Sequence, residues 1–205
     1  PICTDTRLLF FNKDVFEQAG LPTDWQPESW EDILDAARAI RDNCGDDVVP
    51  LWLSSGAAEG EATSMNSYEM LLSGCSDFLM EGDQFITSSQ SILDTLNFYK
   101  TVYTEDLGAP LSVILNGSAA GTGAKEYLPA GKLGIYLDGC WTPQYYYTDG
   151  SAPWAEFEDK LGIALMPTKD GGGYTTMSGG WGLAIPENSD SKDAAFDFLK
   201  HAVTD

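Results

Sequence analysis

The sequence predicts an α/β fold, in which a sheet is flanked by helices. The 205 residues are 43% hydrophobic and 12% aromatic, which is enough to bury a substantial core. Apolar runs of strand length alternate with stretches in which apolar residues recur at helical spacing. A helix, a short loop and a strand in that order are typical of an α/β sheet.

The first elements are a strand, a short helix and a longer helix. Residues 7–11 predict a strand, and a short helix begins near Asn12 and is stopped by Gly20. Ser29 followed by Asp32 has the form of a helix-capping pair. The helix that this pair begins has one apolar face, formed by Trp30, Ile33, Ala37 and Ile40.

The middle of the chain predicts a strand over residues 48–53 and a helix over residues 65–73, which ends before Gly74. A second long helix is predicted over residues 91–103. Its apolar face is formed by Ile92, Leu96, Tyr99 and Tyr103. Residues 107–123 are rich in Gly, Ala and Ser and predict a loop.

The last third predicts two strands, over residues 133–137 and 161–166, with a short helix from Lys125 before the first. A triple-glycine turn at residues 171–173 leads into a β-rich stretch at residues 174–185. A final helix follows. Its apolar face is formed by Ala194, Ala195, Phe198 and Ala202.

The charge balance excludes several classes of function. A net charge of −21 repels phosphate backbones, so we expect no nucleic-acid partner, and it disfavours acidic sugars and polyanions as ligands. No run approaches the roughly 18 apolar residues of a membrane-spanning helix. The chain begins at Pro1 without a signal segment, so we expect its natural start to lie upstream. Phosphate-loop and dinucleotide fingerprints are absent, because the triple glycine precedes a β-rich stretch rather than a helix.

Metal sites and nucleophilic catalysis are poorly supported. The four cysteines show no C-x-x-C spacing, and one histidine, His201, cannot complete a zinc set with them. We expect no metal and no cofactor. An even number of cysteines suits an oxidising exterior, but free buried thiols are an equal alternative.

Six segments, in order along the chain, resemble the family 1 extracellular solute-binding proteins of bacteria. They are residues 4–21 (TDTRLLFFNKDVFEQAGL), 29–32 (SWED), 130–132 (AGK), 136–141 (YLDGCW), 164–167 (ALMP) and 178–186 (SGGWGLAIP). Each segment is weak by itself, whereas their joint order and spacing make the resemblance strong.

The resemblance implies a lobe of the type II periplasmic-binding-protein-like fold, with a mixed sheet flanked by helices. In this family two α/β lobes close on a ligand by hinge motion. We expect residues 1–178 to form the second, C-terminal lobe and residues 179–205 to form the hinge crossing with a strand and helix of the first lobe. The rest of the first lobe is then absent from this chain.

By the same resemblance, five residues are candidate ligand contacts: Asp5, Asn66, Tyr68, Trp141 and Trp181. Sugars present flat C–H faces and hydroxyls, so aromatic rings and planar polar groups suit them. Asp5 is expected to accept sugar hydroxyls, with helix capping or hinge fixing as the alternative. Trp141 is expected to stack on the ligand, with burial in the core as the alternative. Trp181 either contacts ligand or packs in the hinge.

The family topology also places the cysteines in two pairs. The strand from Val48 runs toward the cleft and the helix after Asn66 runs back, which brings Cys44 and Cys75 toward the same end. Cys3 and Cys140 both flank strands at the cleft end. The resemblance therefore predicts the disulfides Cys44–Cys75 and Cys3–Cys140, provided that the Cα separations stay below about 7 Å.

The implied function is the extracellular solute-binding component of an ABC importer, which presents an oligosaccharide or other carbohydrate to a membrane permease. We expect a monomer without catalytic activity, in the periplasm or anchored outside the cell as a lipoprotein. Two alternatives remain open from the residues alone. One is a secreted glycoside hydrolase, because 32 acidic residues leave room for a carboxylate pair. The other is a polysaccharide-binding module that takes no part in transport.

Overall fold

The computed structural model describes residues 3–77 and 80–204. The strands in this part of the chain are β1 (Cys3–Asp5), β2 (Arg7–Asn12), β3 (Val49–Trp52), β4 (Met80–Glu81), β5 (Gln84–Phe85), β6 (Leu133–Gly139), β7 (Leu161–Ala164), β8 (Met166–Pro167), β9 (Tyr174–Thr175) and β10 (Gly179–Trp181). The α-helices are α1 (Lys13–Gln18), α2 (Trp30–Asn43), α3 (Glu69–Ser73), α4 (Gln90–Thr104), α5 (Leu111–Ile114), α6 (Ala119–Thr122), α7 (Phe157–Lys160) and α8 (Lys192–Thr204).

A four-stranded mixed sheet lies at the centre, in the order β3-β6-β2-β7. β3 and β6 run parallel, whereas β2 runs antiparallel to both β6 and β7. The register places Arg7 opposite Gly139 and Phe10 opposite Tyr136. The predicted α/β fold with a mixed sheet is confirmed.

Both faces of this sheet are covered, as the alternation of β2 shows. Leu9 and Phe11 point to one apolar cluster, which also contains the buried faces of α1 and α2. Phe10 points to the opposite cluster, together with Tyr136 and Trp52. Because β2 is buried on both sides, its sequence is an uninterrupted apolar run rather than an alternating one.

The predicted helix starts are formed by side-chain caps. Asn12 accepts hydrogen bonds from the backbone N–H groups of Asp14 and Val15 at the start of α1. Ser29 and Asp32 form a complete capping box at the start of α2. The four residues expected on the inner face of α2 are all buried.

Three predictions about the middle of the chain are wrong in whole or in part. The fully buried residues of α4 are Ser91, Thr95, Phe98 and Val102. Of the predicted face, Tyr99 and Tyr103 are partly buried against the core. Leu96, predicted to be on the inner face, is exposed. Residues 107–123 are not one loop, because they contain α5 and α6. The helix expected from Met65 begins earlier, as the π-helical segment Ala62–Tyr68 that runs into α3.

The last segment of the chain crosses back beside its beginning. β10 pairs antiparallel with β1, so that Asp5 lies opposite Gly179 and Cys3 opposite Trp181. α8 follows, and no residue of this helix whose side chain is described is buried. In the described ranges, no helix has both the length and the apolar character needed to cross a membrane.

Candidate ligand-binding site

A cavity of about 490 Å³ lies at the end of the sheet where β2 begins and β6 ends. Four segments line it: the entering strand, the π-helical segment, the turn after β6 and the returning strand β10. The lining residues are Asp5, Arg7, Glu61, Ala62, Met65, Asn66, Trp141, Tyr145, Gly180 and Trp181.

Arg7 is the centre of the polar network in this cavity. Its side chain is almost fully buried, and its Nη1 lies 2.5 Å from Oδ1 of Asp5. Its Nε donates a hydrogen bond of 2.7 Å to Oδ1 of Asn66. The guanidinium charge is therefore satisfied by groups of the protein itself.

The network continues from Asn66 to a buried carboxylate. Nδ2 of Asn66 donates to Oδ1 of Asp138 over 2.8 Å, and the Thr142 hydroxyl donates to Oδ2 over 3.0 Å. Burial raises the pKa of Asp138 above its ordinary value, because desolvation disfavours the charged form, while the hydrogen bonds that it accepts from the Gly139 backbone and Thr142 offset part of this effect.

The ring of Trp141 lies against this network. The Arg7 guanidinium carbon is 4.5 Å from the centroid of the ring, which is a cation–π contact. The ring also covers Gly139, where any Cβ would overlap the six-membered ring of Trp141. The Asp-Gly-Cys-Trp sequence therefore has a local reason: the glycine leaves room for the tryptophan to fold back over the strand end.

Two glycines of the returning strand bring it close to Asp5. A Cβ at Gly179 would overlap the carboxylate of Asp5, and one at Gly180 would overlap the Cys3 carbonyl oxygen. Gly180 also has a φ of 150°, which L side chains rarely adopt. The next residue, Trp181, projects from this close crossing into the cavity and is 66% exposed.

The charge of the cavity is set by its carboxylates. Asp5 and Glu61 both line it, and among its described lining residues Arg7 is the one base. Because Arg7 is already paired with Asp5, an anionic solute would meet no unpaired cation from these residues. Nor do the described residues contain a cluster of three or more His, Cys, Asp or Glu side chains suited to a metal ion.

The structure brings four of the five candidate residues together. Asp5, Asn66, Trp141 and Trp181 all line this cavity. Tyr68 does not: it lines a second, more apolar cavity with residues that include Ser55 and Tyr99. Tyr68 follows Asn66 by two positions on a helical segment, and residues two apart do not share a face.

Sequence reasoning assigned no role to Arg7, Glu61 or Tyr145, which also line the cavity. Arg7 is part of the segment that carries the family resemblance, so the sequence contains a signal for it, but an arginine is usually exposed and its burial is not visible in the sequence. Tyr145 lies one helical turn after Trp141, and its ring contacts the Lys125 ammonium 4.5 Å from the centroid.

The cysteines do not form the expected bridges in this structure, where all four are free thiols. The Cys44 thiol donates to the Val15 carbonyl, whereas the Cys75 thiol donates to the carbonyl of Leu71. Burial raises the pKa of both thiols.

Cys3 and Cys140 are likewise separate and exposed. The Cys140 amide donates to the Thr6 carbonyl, three residues further along the chain than Cys3.

Two relatives compare over nearly the whole chain. The arabinooligosaccharide-binding protein of Halalkalibacterium halodurans is 20% identical over 212 residues, which cover 98% of this chain and 42% of that protein. The solute-binding protein of Thermotoga lettingae, whose crystal structure has α-D-tagatose bound, is 26% identical with a TM-score of 0.74, over 98% of this chain and 48% of that one.

The same fold occurs in the sugar-binding protein MalE of Xanthomonas citri. It matches with a TM-score of 0.70 and 21% identity, over 100% of this chain and 48% of that one. The chain therefore spans a little under half the length of the relatives that it matches. The model of one family, described as bacterial extracellular solute-binding protein, matches residues 1–205. This chain belongs to the bacterial extracellular solute-binding proteins.

Proposed function

We propose that this chain is the ligand-binding second lobe of a solute-binding protein that delivers a neutral carbohydrate to an ABC importer. The observation that carries the proposal is the combination of Trp141 with Asp5 and Asn66 around one cavity. An aromatic ring offers a surface for the C–H face of a sugar, and the carboxylate and amide offer partners for its hydroxyls.

A neutral ligand fits the cavity better than an acidic one. Its lining carries two carboxylates, and the positive charge of Arg7 is offset by Asp5. The net charge of −21 adds a long-range repulsion for anions. The arabinooligosaccharide and tagatose named for two relatives are neutral sugars, which supports the same class of ligand here.

We propose residues 1–178 as the second lobe and residues 179–205 as the crossing with a strand and helix of the first lobe. The exposure of α8 supports this division, because Phe196, Phe198 and Val203 on this helix are all more than half exposed. Large apolar side chains that are exposed on more than one side of a helix in this way are normally covered by neighbouring elements. In the proposal, the other lobe covers it and supplies the opposite wall of the cavity.

The proposal includes a membrane permease as partner, action as a monomer and a location in the periplasm or, as a lipoprotein, at the outer cell surface. Family membership supports the extracellular location and the absence of turnover, since the relatives are binding proteins. In this account the ligand leaves the cavity unchanged.

Calorimetric titration of the complete two-lobed protein tests the proposal, with maltose, an arabinotriose, tagatose and ribitol as ligands and Trp141→Ala as the variant. Tyr147→Ala is the matched control, because Tyr147 is an exposed aromatic residue six positions away that does not line the cavity. We expect saturable binding of at least one sugar, lost in Trp141→Ala and kept in the control. Binding to none of these sugars, or sugar cleavage on prolonged incubation, would overturn the proposal.

A further inference from the structure

One buried side chain ties together three of the four segments that line the cavity. Arg7 belongs to β2, and it contacts Asp5 on β1, Asn66 on the π-helical segment and Trp141 in the turn after β6. These three residues are far apart in sequence, and each is a proposed ligand contact. Arg7 itself is only 3% exposed, so it presents little surface to a ligand.

We infer that Arg7 is a positioning residue of the ligand site, which fixes the Trp141 ring and the polar groups of Asp5 and Asn66 in the orientation that meets a sugar. The inference rests on the proposed function. It assigns to Arg7 a role in affinity that acts through its three neighbours rather than through a contact of its own with the ligand.

The geometry requires the chemistry of a guanidinium group. It donates through Nη1 to Asp5 and through Nε to Asn66, while its central carbon lies 4.5 Å from the centroid of the Trp141 ring. A planar group with several in-plane donors can make both kinds of contact at once. A lysine ammonium carries the same charge at a single nitrogen, so it cannot lie beside the Trp141 ring and also donate from the two separate positions that Nη1 and Nε occupy.

The backbone of Arg7 is fixed as well. β7 pairs with β2 only from Leu9 onward, which leaves the outer edge of Arg7 without a strand partner. The Thr176 hydroxyl takes that place: it accepts from the Arg7 amide over 2.8 Å and donates to the Arg7 carbonyl over 3.0 Å. Thr176 lies three residues before β10, so the same residue connects the position of Arg7 to the returning strand.

Ring position provides a test that needs no ligand. Near-ultraviolet circular dichroism is compared for the wild type, Arg7→Lys, Trp141→Phe and the double variant. If Arg7 fixes the ring, Arg7→Lys changes the tryptophan bands in the wild-type background and has almost no effect in the Trp141→Phe background. An equal change in both backgrounds would overturn the inference, because the signal would then come from tryptophans elsewhere.

Affinity provides the second readout, again as a cycle between Arg7→Lys and Trp141→Phe, which keeps an aromatic ring at this position, titrated with the sugar that binds the wild type. Arg7→Lys is expected to weaken binding about tenfold or more when Trp141 is present and by a much smaller factor when it is absent, because contacting residues couple. Arg7→Lys keeps the charge but loses at least one buried hydrogen bond, so its melting temperature should fall by several degrees while the protein stays folded at the temperature of the titration. Thr176→Val is expected to weaken binding in the same direction by shifting the Arg7 backbone.

The outcomes separate the inference from the proposed function. Wild-type affinity in Arg7→Lys, or equal losses in both Trp141 backgrounds, overturns the positioning role while the binding function stands. A wild-type protein that binds none of the sugars overturns the proposed function and, with it, the role of Arg7 in affinity. A loss of affinity that appears only together with a collapse of the melting temperature assigns Arg7 to folding and overturns the inference.

Discussion

Replacement of Asn66 by alanine probes the polar network below the cavity most severely. Asn66 makes two hydrogen bonds, one from the Arg7 guanidinium over 2.7 Å and one to the Asp138 carboxylate over 2.8 Å. Both partners are buried, with exposed fractions of 3% and 4%, and neither can turn to solvent when the amide is removed. The variant therefore leaves one donor of a cation and one acceptor of a carboxylate without a partner.

The size of the effect follows from these two bonds. A hydrogen bond to a charged group contributes about 1.5–3 kcal/mol, so two give a loss of about 3–6 kcal/mol in the free energy of unfolding. With a urea m-value of about 3 kcal/mol/M, the unfolding midpoint should fall by about 1–2 M. Asn43→Ala is the control, because Asn43 is exposed and makes one hydrogen bond to the Ala39 carbonyl. Its expected effect is within about 0.5 kcal/mol.

Urea unfolding followed by circular dichroism measures both variants against the wild type. A fall in the midpoint for Asn66→Ala that is no larger than the fall for Asn43→Ala would refute the reasoning. It would mean that Arg7 and Asp138 find other partners or that the network contributes little to stability.

Three further predictions concern protonation, packing and the thiols. Burial raises the folded-state pKa of Asp138, so the stability linked to its protonation is complete below about pH 4 and is lost as pH rises through the folded-state pKa. Asp138→Asn has no carboxyl proton to lose, so its urea midpoint should rise relative to that of the wild type as pH increases above about 4, whereas a constant difference would contradict the assignment. Gly134→Ala places a Cβ 2.8 Å from the Pro50 carbonyl oxygen and should lower the free energy of unfolding by about 1–3 kcal/mol. Gly121→Ala is the control, because there is open space around Gly121 and no loss is expected. Equal urea midpoints for the two variants would contradict this packing. Ellman's reagent without reductant should titrate four thiols per chain, the two exposed ones first, whereas two or none would show that disulfides form.

Local sequence signals predict the framework of the fold well. The Asn12 and Ser29 caps act within four residues of chain, and the apolar run of β2 is long enough to be unambiguous, so these elements could be predicted directly. The inner face of α4 could not, because apolar residues occur on more than one side of this helix. The side that contains the small residues Ser91 and Thr95 is buried, because the elements that pack against α4 determine its orientation.

The candidate site is predictable only in part for a similar reason. Asp5, Trp141 and Trp181 lie in segments whose family resemblance is strong, and the structure places them around one cavity. Arg7, which contacts Asp5 and Trp141, meets Asn66 across 59 positions of sequence. No local pattern encodes a contact over that distance, which depends on the packing of the π-helical segment against the ends of β2 and β6.

The central claim is that the cavity beside Trp141 binds a neutral sugar, and the titration of the complete two-lobed protein with and without Trp141→Ala tests it most directly. The account predicts saturable binding of at least one neutral sugar by the wild type, no measurable binding by Trp141→Ala, and unchanged affinity in Tyr147→Ala. Affinity that survives the loss of Trp141, or a preference for a phosphorylated solute such as glycerol 3-phosphate over every neutral sugar, would contradict it.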